Sequence, residues 1–197
     1  HLREDRRHIK DFDLKQIKKL KNIPINLEIA ANNKMLKIAI KYNPNFVCIV
    51  PEKRKEITTE GGLNINKNKK KLSMIINKLN KRKIRTSLFI NPITKDINLA
   101  KILGTKCVEL HTGKISNLIK KKKNYINELN KIKKCAKLGK SIGLEVHAGH
   151  GMDYKTTKVL SKIKEIKEFN IGHFIIGESI FIGFKNTIKK IKKIMRN

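Results

Sequence analysis

The stretch Val108-Glu109-Leu110-His111-Thr112-Gly113 alternates apolar and polar side chains and ends at a glycine. Two later stretches, 144–151 and 170–173, repeat this arrangement, since an extended run ends with histidine beside glycine. A helical pattern follows each of them. Parallel strands joined by helices place their carboxyl ends at one edge of a sheet, where α/β enzymes hold their active sites. These stretches therefore predict a parallel sheet with titratable groups at one edge.

The alternation also predicts which side chains share a face of that sheet. Side chains two residues apart on a strand point the same way, so Asn26 and Glu28 oppose the apolar residues of segment 25–29. By the same rule Glu109 and His111 share a face. Parallel strands are usually apolar on both faces, so carboxylates near strand ends indicate a polar cavity at one end of the sheet.

Strand and helix patterns alternate along the whole chain. Strand patterns occupy six segments: 25–29, 46–50, 85–90, 106–110, 143–147 and 169–172. Helical patterns occupy seven segments: 12–21, 33–42, 67–82, 93–103, 116–140, 155–168 and 178–195. Because the first helix needs a preceding strand, we interpret His1-Leu2 as the end of a seventh strand.

Seven consecutive βα units without a linker predict one domain over residues 1–197. They favour an α/β (β/α)₈ TIM barrel over a doubly wound sheet. Such barrels typically contain ~250 residues, so we expect a partial TIM barrel that lacks its first strand and helix.

Composition limits the function classes. The chain has no run of apolar residues long enough to span a membrane and no signal peptide pattern, so we expect a cytoplasmic protein. Its three cysteines lack metal-binding spacing and indicate a reducing compartment.

The formal net charge of +31 raises the alternative of a lysine-rich nucleic-acid-binding protein. The lysines are spread over nearly every helix pattern, aromatic residues make up only 5% of the chain, and no nucleic-acid-binding motif is present. We therefore expect no specific nucleic-acid partner and no membrane partner.

A second alternative is a metal-dependent aldolase or hydrolase on the same barrel. Glu109-x-His111 and His147-x-x-His150 supply possible oxygen and nitrogen ligands. No motif fixes their spacing, and a metal-free site that binds phosphate also explains the arginines, so the metal hypothesis ranks lower.

Arginines are rare beside the lysines, and four of them fall in two short segments: Arg3, Arg6, Arg7 and Arg54. A planar guanidinium binds phosphate or carboxylate through two hydrogen bonds, which lysine does not do. We expect at least one of the four to contact a substrate phosphate. Pairing with neighbouring carboxylates is an equally good interpretation for any one of them.

Together, segments along the whole chain resemble the pyridoxine 5′-phosphate synthase (PdxJ) family. The segments are His1-Leu2-Arg3-Glu4-Asp5-Arg6-Arg7-His8-Ile9, Asn26-Leu27-Glu28, Val50-Pro51-Glu52-Lys53-Arg54 with Thr58-Thr59-Glu60-Gly61-Gly62, Ser87-Leu88-Phe89-Ile90, Glu109-Leu110-His111-Thr112-Gly113, Ala148-Gly149-His150-Gly151 and Asn170-Ile171-Gly172-His173. The resemblance implies a cofactor-free (β/α)₈ barrel that forms octamers. It also implies condensation of 1-deoxy-D-xylulose 5-phosphate with 3-amino-2-oxopropyl phosphate to pyridoxine 5′-phosphate, phosphate and water. We also expect the reaction to need no metal, because carboxylates and histidine can supply its proton transfers.

The resemblance further implies roles for single residues. His1 and Glu28 would accept protons, His150 would donate one, and the Glu109 carboxylate would stabilise the transition state. Gly151 would bind the aminoketone phosphate. The deoxyxylulose phosphate would be bound by five residues: Arg3, His8, Thr58, Gly172 and His173.

Overall fold

A computed structural model describes residues 1–20, 22–52 and 61–196. One parallel sheet contains six strands in sequential order: β1 (Asn26–Ala30), β2 (Phe46–Val50), β3 (Arg85–Ile90), β4 (Cys107–His111), β5 (Glu145–Gly149) and β6 (Ile166–Asn170). Strand order reverses at the switch point of a doubly wound sheet, whereas here each strand lies beside the next one in sequence. The prediction of a parallel α/β fold is confirmed.

The described residues form nine helices: α1 (Asp11–Lys18), α2 (Asn33–Tyr42), α3 (Ile65–Lys81), α4 (Thr94–Ile102), α5 (Gly113–Lys120), α6 (Ile126–Ser141), α7 (Tyr154–Leu160), α8 (His173–Ile182) and α9 (Phe184–Arg196). Local signals set the ends of α2. The Asn32 side chain accepts a hydrogen bond from the Met35 N–H at 2.9 Å, and Asn43 ends the helix in a left-handed conformation.

The two faces of the sheet differ in composition. One face carries Ile29, Ile49, Leu88 and Leu110, which belong to the large hydrophobic core that the sheet shares with the helices. The opposite face carries a small separate apolar cluster: Cys48, Val50 and Phe89. Buried polar side chains lie on this second face. The predicted alternation of apolar and polar residues is confirmed.

Two element boundaries differ from the prediction. The segment 116–140, predicted as one helix, is divided between α5 and α6, because Lys122 has a φ of 52° that no helix continues. The last strand covers Ile166–Asn170 instead of 169–172, since pairing with β5 begins at Ile166. Tertiary pairing therefore overrides the helical pattern that was predicted to extend to residue 168.

The chain ends also differ from the prediction. The segment 178–195, predicted as one helix, is divided at Gly183, whose φ is 81°, and α8 begins earlier, at His173. His1 and Leu2 belong to no described strand, so the predicted seventh strand is not confirmed, although Leu2 is buried in the core. Among the described residues, no helix is long and apolar enough to cross a membrane.

Candidate active site

A row of polar side chains lies on the face of the sheet opposite the helices. β1 supplies Glu28, β4 supplies Glu109, β5 supplies His147, and β6 supplies Asn170. Their positions follow from the period-2 alternation of each strand, whose apolar residues face the helices.

Glu109 is buried, with 4% of its surface exposed, and its two carboxyl oxygens have different surroundings. Nδ2 of Asn170 donates a hydrogen bond to Oε2 at 2.7 Å, and Sγ of Cys48 lies 3.7 Å from the same oxygen. Burial, followed by the negative charge of Glu28, raises the pKa of Glu109 to about 8. This carboxyl is therefore mainly protonated at neutral pH and can donate a hydrogen bond or a proton.

His1 lies between two carboxylates. Its Nδ1 is 3.7 Å from Oε2 of Glu28, and its Nε2 is 3.4 Å from Oε2 of Glu52. The Glu52 side chain is almost completely buried, whereas the Glu28 side chain is 35% exposed. Glu28 is therefore the carboxylate that is more open to a substrate, whereas Glu52 is buried beside the imidazole.

Arg3 is buried beside carboxylates. Its Nε lies 3.5 Å from Oδ1 of Asp5 and 3.9 Å from Oε1 of Glu52. Arg7 also pairs with Asp5, at 2.6 Å. The sequence left open whether these arginines pair with neighbouring carboxylates. Both Arg3 and Arg7 do so in the structure. Arg54 lies outside the described residues.

His150 has a left-handed backbone conformation directly after β5, with a φ of 79°. The Thr112 hydroxyl holds this turn by donating to the carbonyl oxygens of Gly149 and His150, each at 2.7 Å. The ring of His150 lies against that of His111, with 4.8 Å between the centroids. A Cβ on Gly113 would overlap both rings, so any other residue there would displace at least one of them. These contacts fix His150 at the carboxyl edge of the sheet.

His111 is a partly buried imidazole that lies beside His150. Burial, followed by the charge of His150, lowers the pKa of His111 to about 4. His111 is therefore neutral at physiological pH.

A cavity of about 680 Å³ opens beside the two imidazoles, and it is lined by His111, Gly113, Lys114, Asn117, Leu118, Lys121, Lys123 and His150. Lys114 also pairs with Glu128 at 3.2 Å. Three lysines therefore contribute positive charge to the lining of this cavity.

The remaining residues assigned by resemblance occupy different environments. His8 and His173 are exposed. A Cβ on Gly172 would have no atom within 4 Å, whereas Gly151 has a φ of 71°, which favours glycine. Thr58 lies outside the described residues.

The sequence left open a metal site formed by Glu109, His111, His147 and His150. In the structure, His147 instead pairs with two other carboxylates. Its Nε2 lies 2.6 Å from Oε1 of Glu145, and its Nδ1 lies 3.4 Å from Oε1 of Glu168. In the part of the chain that the structure describes, one group of three possible ligands occurs, formed by Cys107, Glu145 and His147. The Arg85 guanidinium donates to the same Glu145 oxygen at 2.7 Å, so this carboxylate is already compensated by positive charge.

Three residues of the candidate site received no catalytic or binding role from the sequence: Cys48, Glu52 and Asn170. Glu52 and Asn170 stand at or just after the carboxyl end of a strand, which is the signal that identified Glu109. Cys48 was interpreted as a small buried hydrophobic residue, and its burial raises its thiol pKa, as expected of such a residue.

Comparison with known proteins gives consistent matches over the chain. Residues 1–197 match the family described as "Pyridoxal phosphate biosynthesis protein PdxJ". A pyridoxine 5′-phosphate synthase of Pelagibacter ubique (strain HTCC1062) is 66% identical, over 98% of this chain and 81% of its own length. One of Zymomonas mobilis subsp. mobilis is 48% identical, over 99% of this chain and 75% of its own length.

Solved structures share the fold at low sequence identity. The Amycolatopsis orientalis BexX/CysO complex has a TM-score of 0.63 at 10% identity, over 98% of this chain and 76% of that chain. Citrate synthase SbnG has a TM-score of 0.52 at 12% identity, over 90% of this chain and 76% of that chain. These two likenesses concern the fold alone. The family match and the sequence identities show that the chain belongs to the PdxJ family.

Proposed function

We propose that this chain catalyses the condensation of 3-amino-2-oxopropyl phosphate with 1-deoxy-D-xylulose 5-phosphate in vitamin B6 biosynthesis. The products are pyridoxine 5′-phosphate, inorganic phosphate and water. The name of a relative that is 66% identical supports this reaction. The structural observation that carries the proposal is Glu109, a buried and protonated carboxyl close enough to Glu28 to be affected by its charge. A protonated acid beside an accessible carboxylate supplies the donor and acceptor that this chemistry needs.

The reaction requires several separate proton transfers. Closing a pyridine ring from an amine and two ketones involves imine formation, enolisation, loss of phosphate and dehydration, each at a different atom. We assign proton acceptance to His1 and Glu28, whose side chains are 3.7 Å apart, and proton donation to His150. The position of His150 directly after β5 and the contact between His1 and Glu28 support this assignment.

Glu109 acts in this proposal as a neutral acid. Its raised pKa keeps the proton on the carboxyl at neutral pH, so it donates a hydrogen bond to the oxyanion that develops during a step. The resemblance implied that the ionised Glu109 carboxylate stabilises the transition state. Because burial keeps the proton on Glu109, we propose that the neutral carboxylic acid has this role instead.

Phosphate binding completes the proposed site. Gly151 binds the aminoketone phosphate through its backbone, and the basic cavity beside His150 attracts both substrates. The route uses no cofactor and no metal ion. Five residues hold the deoxyxylulose phosphate: Arg3, His8, Thr58, Gly172 and His173.

We infer that the described sheet is part of a single-domain (β/α)₈ barrel. Glu109 contacts Cys48 on β2 and Asn170 on β6, which are each two strands away from β4. Strands two positions apart in a flat sheet are separated by ~10 Å, so these contacts favour a sheet that is concave on the polar face. The sequential strand order supports the same architecture.

We also propose a homo-octamer in the cytoplasm. Ile180 and Phe181 of α8 are 80% and 84% exposed, which supports an apolar contact between subunits. The three cysteines are free and buried, in agreement with a reducing compartment.

A direct assay tests the proposed reaction. Purified protein is incubated with both substrates, while pyridoxine 5′-phosphate is quantified by chromatography and inorganic phosphate by a coupled assay. We expect the two products in equal amounts, and no product when either substrate is omitted. The Pelagibacter ubique relative is the positive control, and absence of product where that relative is active would overturn the proposal.

A further inference from the structure

Glu109 and Asn170 form a hydrogen bond although their strands are not neighbours. Glu109 lies on β4 and Asn170 on β6, with β5 between them. The Asn170 Nδ2 donates to Oε2 of Glu109 at 2.7 Å. The bond therefore passes over the strand that separates the two residues.

Gly149 on β5 makes this contact possible. It is the register partner of both His111 on β4 and Asn170 on β6, so it stands where the bond crosses β5. A Cβ on Gly149 would overlap Oε1 of Glu109 and lie 3.1 Å from Cβ of Asn170. Any side chain here would push the carboxyl and the amide apart.

The two oxygens of Glu109 are therefore not equivalent. Oε2 accepts from Asn170 and lies near Sγ of Cys48, whereas Oε1 lies over the bare backbone of Gly149. An oxygen that accepts a hydrogen bond from an amide is the poorer position for the proton of the neutral acid. The proton of Glu109 is consequently placed on Oε1.

We propose that Asn170 is a positioning residue for Glu109, because its amide fixes Oε2 and leaves Oε1 as the oxygen that presents a proton to the substrate. This inference rests on the proposed function, because the substrate that receives the proton is a substrate of the proposed reaction. No role was assigned to Asn170 by the family resemblance.

The hydrogen bond has a measurable effect on the titration of Glu109. A donor stabilises the ionised carboxylate, so the Asn170 amide lowers the pKa of Glu109 against the larger effect of burial. We expect removal of the amide to raise the titration midpoint of Glu109 by about one pH unit, because one hydrogen bond to the charged carboxylate is lost.

Infrared difference spectroscopy measures this midpoint without substrate. The carbonyl band of the protonated Glu109 carboxyl is assigned by its loss in Glu109→Gln and is followed against pH in Asn170→Ala and Asn170→Asp. We expect a higher midpoint in both variants, because both lose the donor and the aspartate adds a like charge. Asn170→Asp preserves the side-chain shape, so it remains informative if Asn170→Ala does not fold.

Asn186→Ala is the matched control, because Asn186 is exposed on α9 and its Nδ2 donates to the carbonyl oxygen of Ile182 at the end of α8. We expect an unchanged Glu109 midpoint there. In the condensation assay, Asn170→Ala should lower kcat about tenfold with KM changed less than twofold, and the pH profile should move with the infrared midpoint.

The outcomes separate this inference from the proposed function. An unchanged infrared midpoint in both Asn170 variants overturns the positioning role, even if the protein makes pyridoxine 5′-phosphate. If the Asn170 variants have a raised Glu109 midpoint but the wild-type protein makes no product, the coupling of Asn170 to Glu109 is supported. The proposed reaction is then overturned.

Discussion

Glu28 raises the pKa of Glu109 even though β2 and β3 lie between their strands. Three strand spacings in a flat sheet would separate them by ~14 Å. Cys48 connects the two regions, since it is the register partner of Glu28 and its Sγ lies 3.7 Å from Glu109. The two carboxyls thus belong to one electrostatic unit on the polar face.

The raised pKa of Glu109 predicts a pH dependence of stability. The folded chain holds a proton on Glu109 between pH 4.5 and about 8, whereas the unfolded chain has lost it. Its contribution to stability is therefore complete below pH 4.5 and is lost as the pH rises through about 8.

Urea unfolding of the wild type and of Glu109→Gln over this pH range measures the effect. We expect the free energy of unfolding of the wild type, relative to the variant, to fall by roughly 5 kcal/mol as the pH rises. Glu28→Gln should reduce that fall, because it removes the like charge. A difference that does not vary with pH would contradict the assignment.

Gly149→Ala should reduce activity by about 10²-fold, because the new Cβ overlaps Oε1 of Glu109 and displaces the proton donor. Turnover is measured together with circular dichroism to confirm that the variant folds. Gly177→Ala in α8 is the control, since its Cβ would have no atom within 4 Å. Equal activity of the two variants would show that the space above Gly149 is not needed.

Arg3→Lys should raise the KM for 1-deoxy-D-xylulose 5-phosphate about tenfold, since an ammonium group lacks the two-pronged geometry of a guanidinium. Arg7→Lys is the control, because Arg7 also pairs with Asp5 but is exposed. Steady-state kinetics and melting temperatures are measured for both. A lower melting temperature with an unchanged KM would make Arg3 a structural bridge to Asp5 and Glu52.

Exhaustive chelation should leave the condensation rate unchanged, because the proposed proton transfers use protein side chains alone. His150→Ala should lower kcat by on the order of 10²-fold, the usual effect of losing an acid or base. Activity that chelation abolishes and Zn²⁺ restores would instead assign catalysis to a metal site, and Cys107→Ser would then identify the ligands through loss of zinc binding.

Local patterns in the sequence determined much of the fold. Glu28 and Glu109 were predicted to face away from the helices because alternation with period 2 is a property of each strand alone. The limits of α2, 33–42, were predicted correctly because Asn32 and Asn43 act on adjacent backbone groups. These features depend on residues within a few positions of one another.

Tertiary structure decided the partners and the protonation of the site. The Asn170 amide meets Glu109 because the sheet brings β6 towards β4 over Gly149, and a linear pattern contains no such distance. His147 lies on the same face of the sheet as the site residues but pairs with Glu145 and Glu168. Alternation along a strand specifies which face a side chain takes, but not its neighbours on that face. The pKa of Glu109 depends on how much water the whole fold removes from one carboxyl, so only the packed structure determines it.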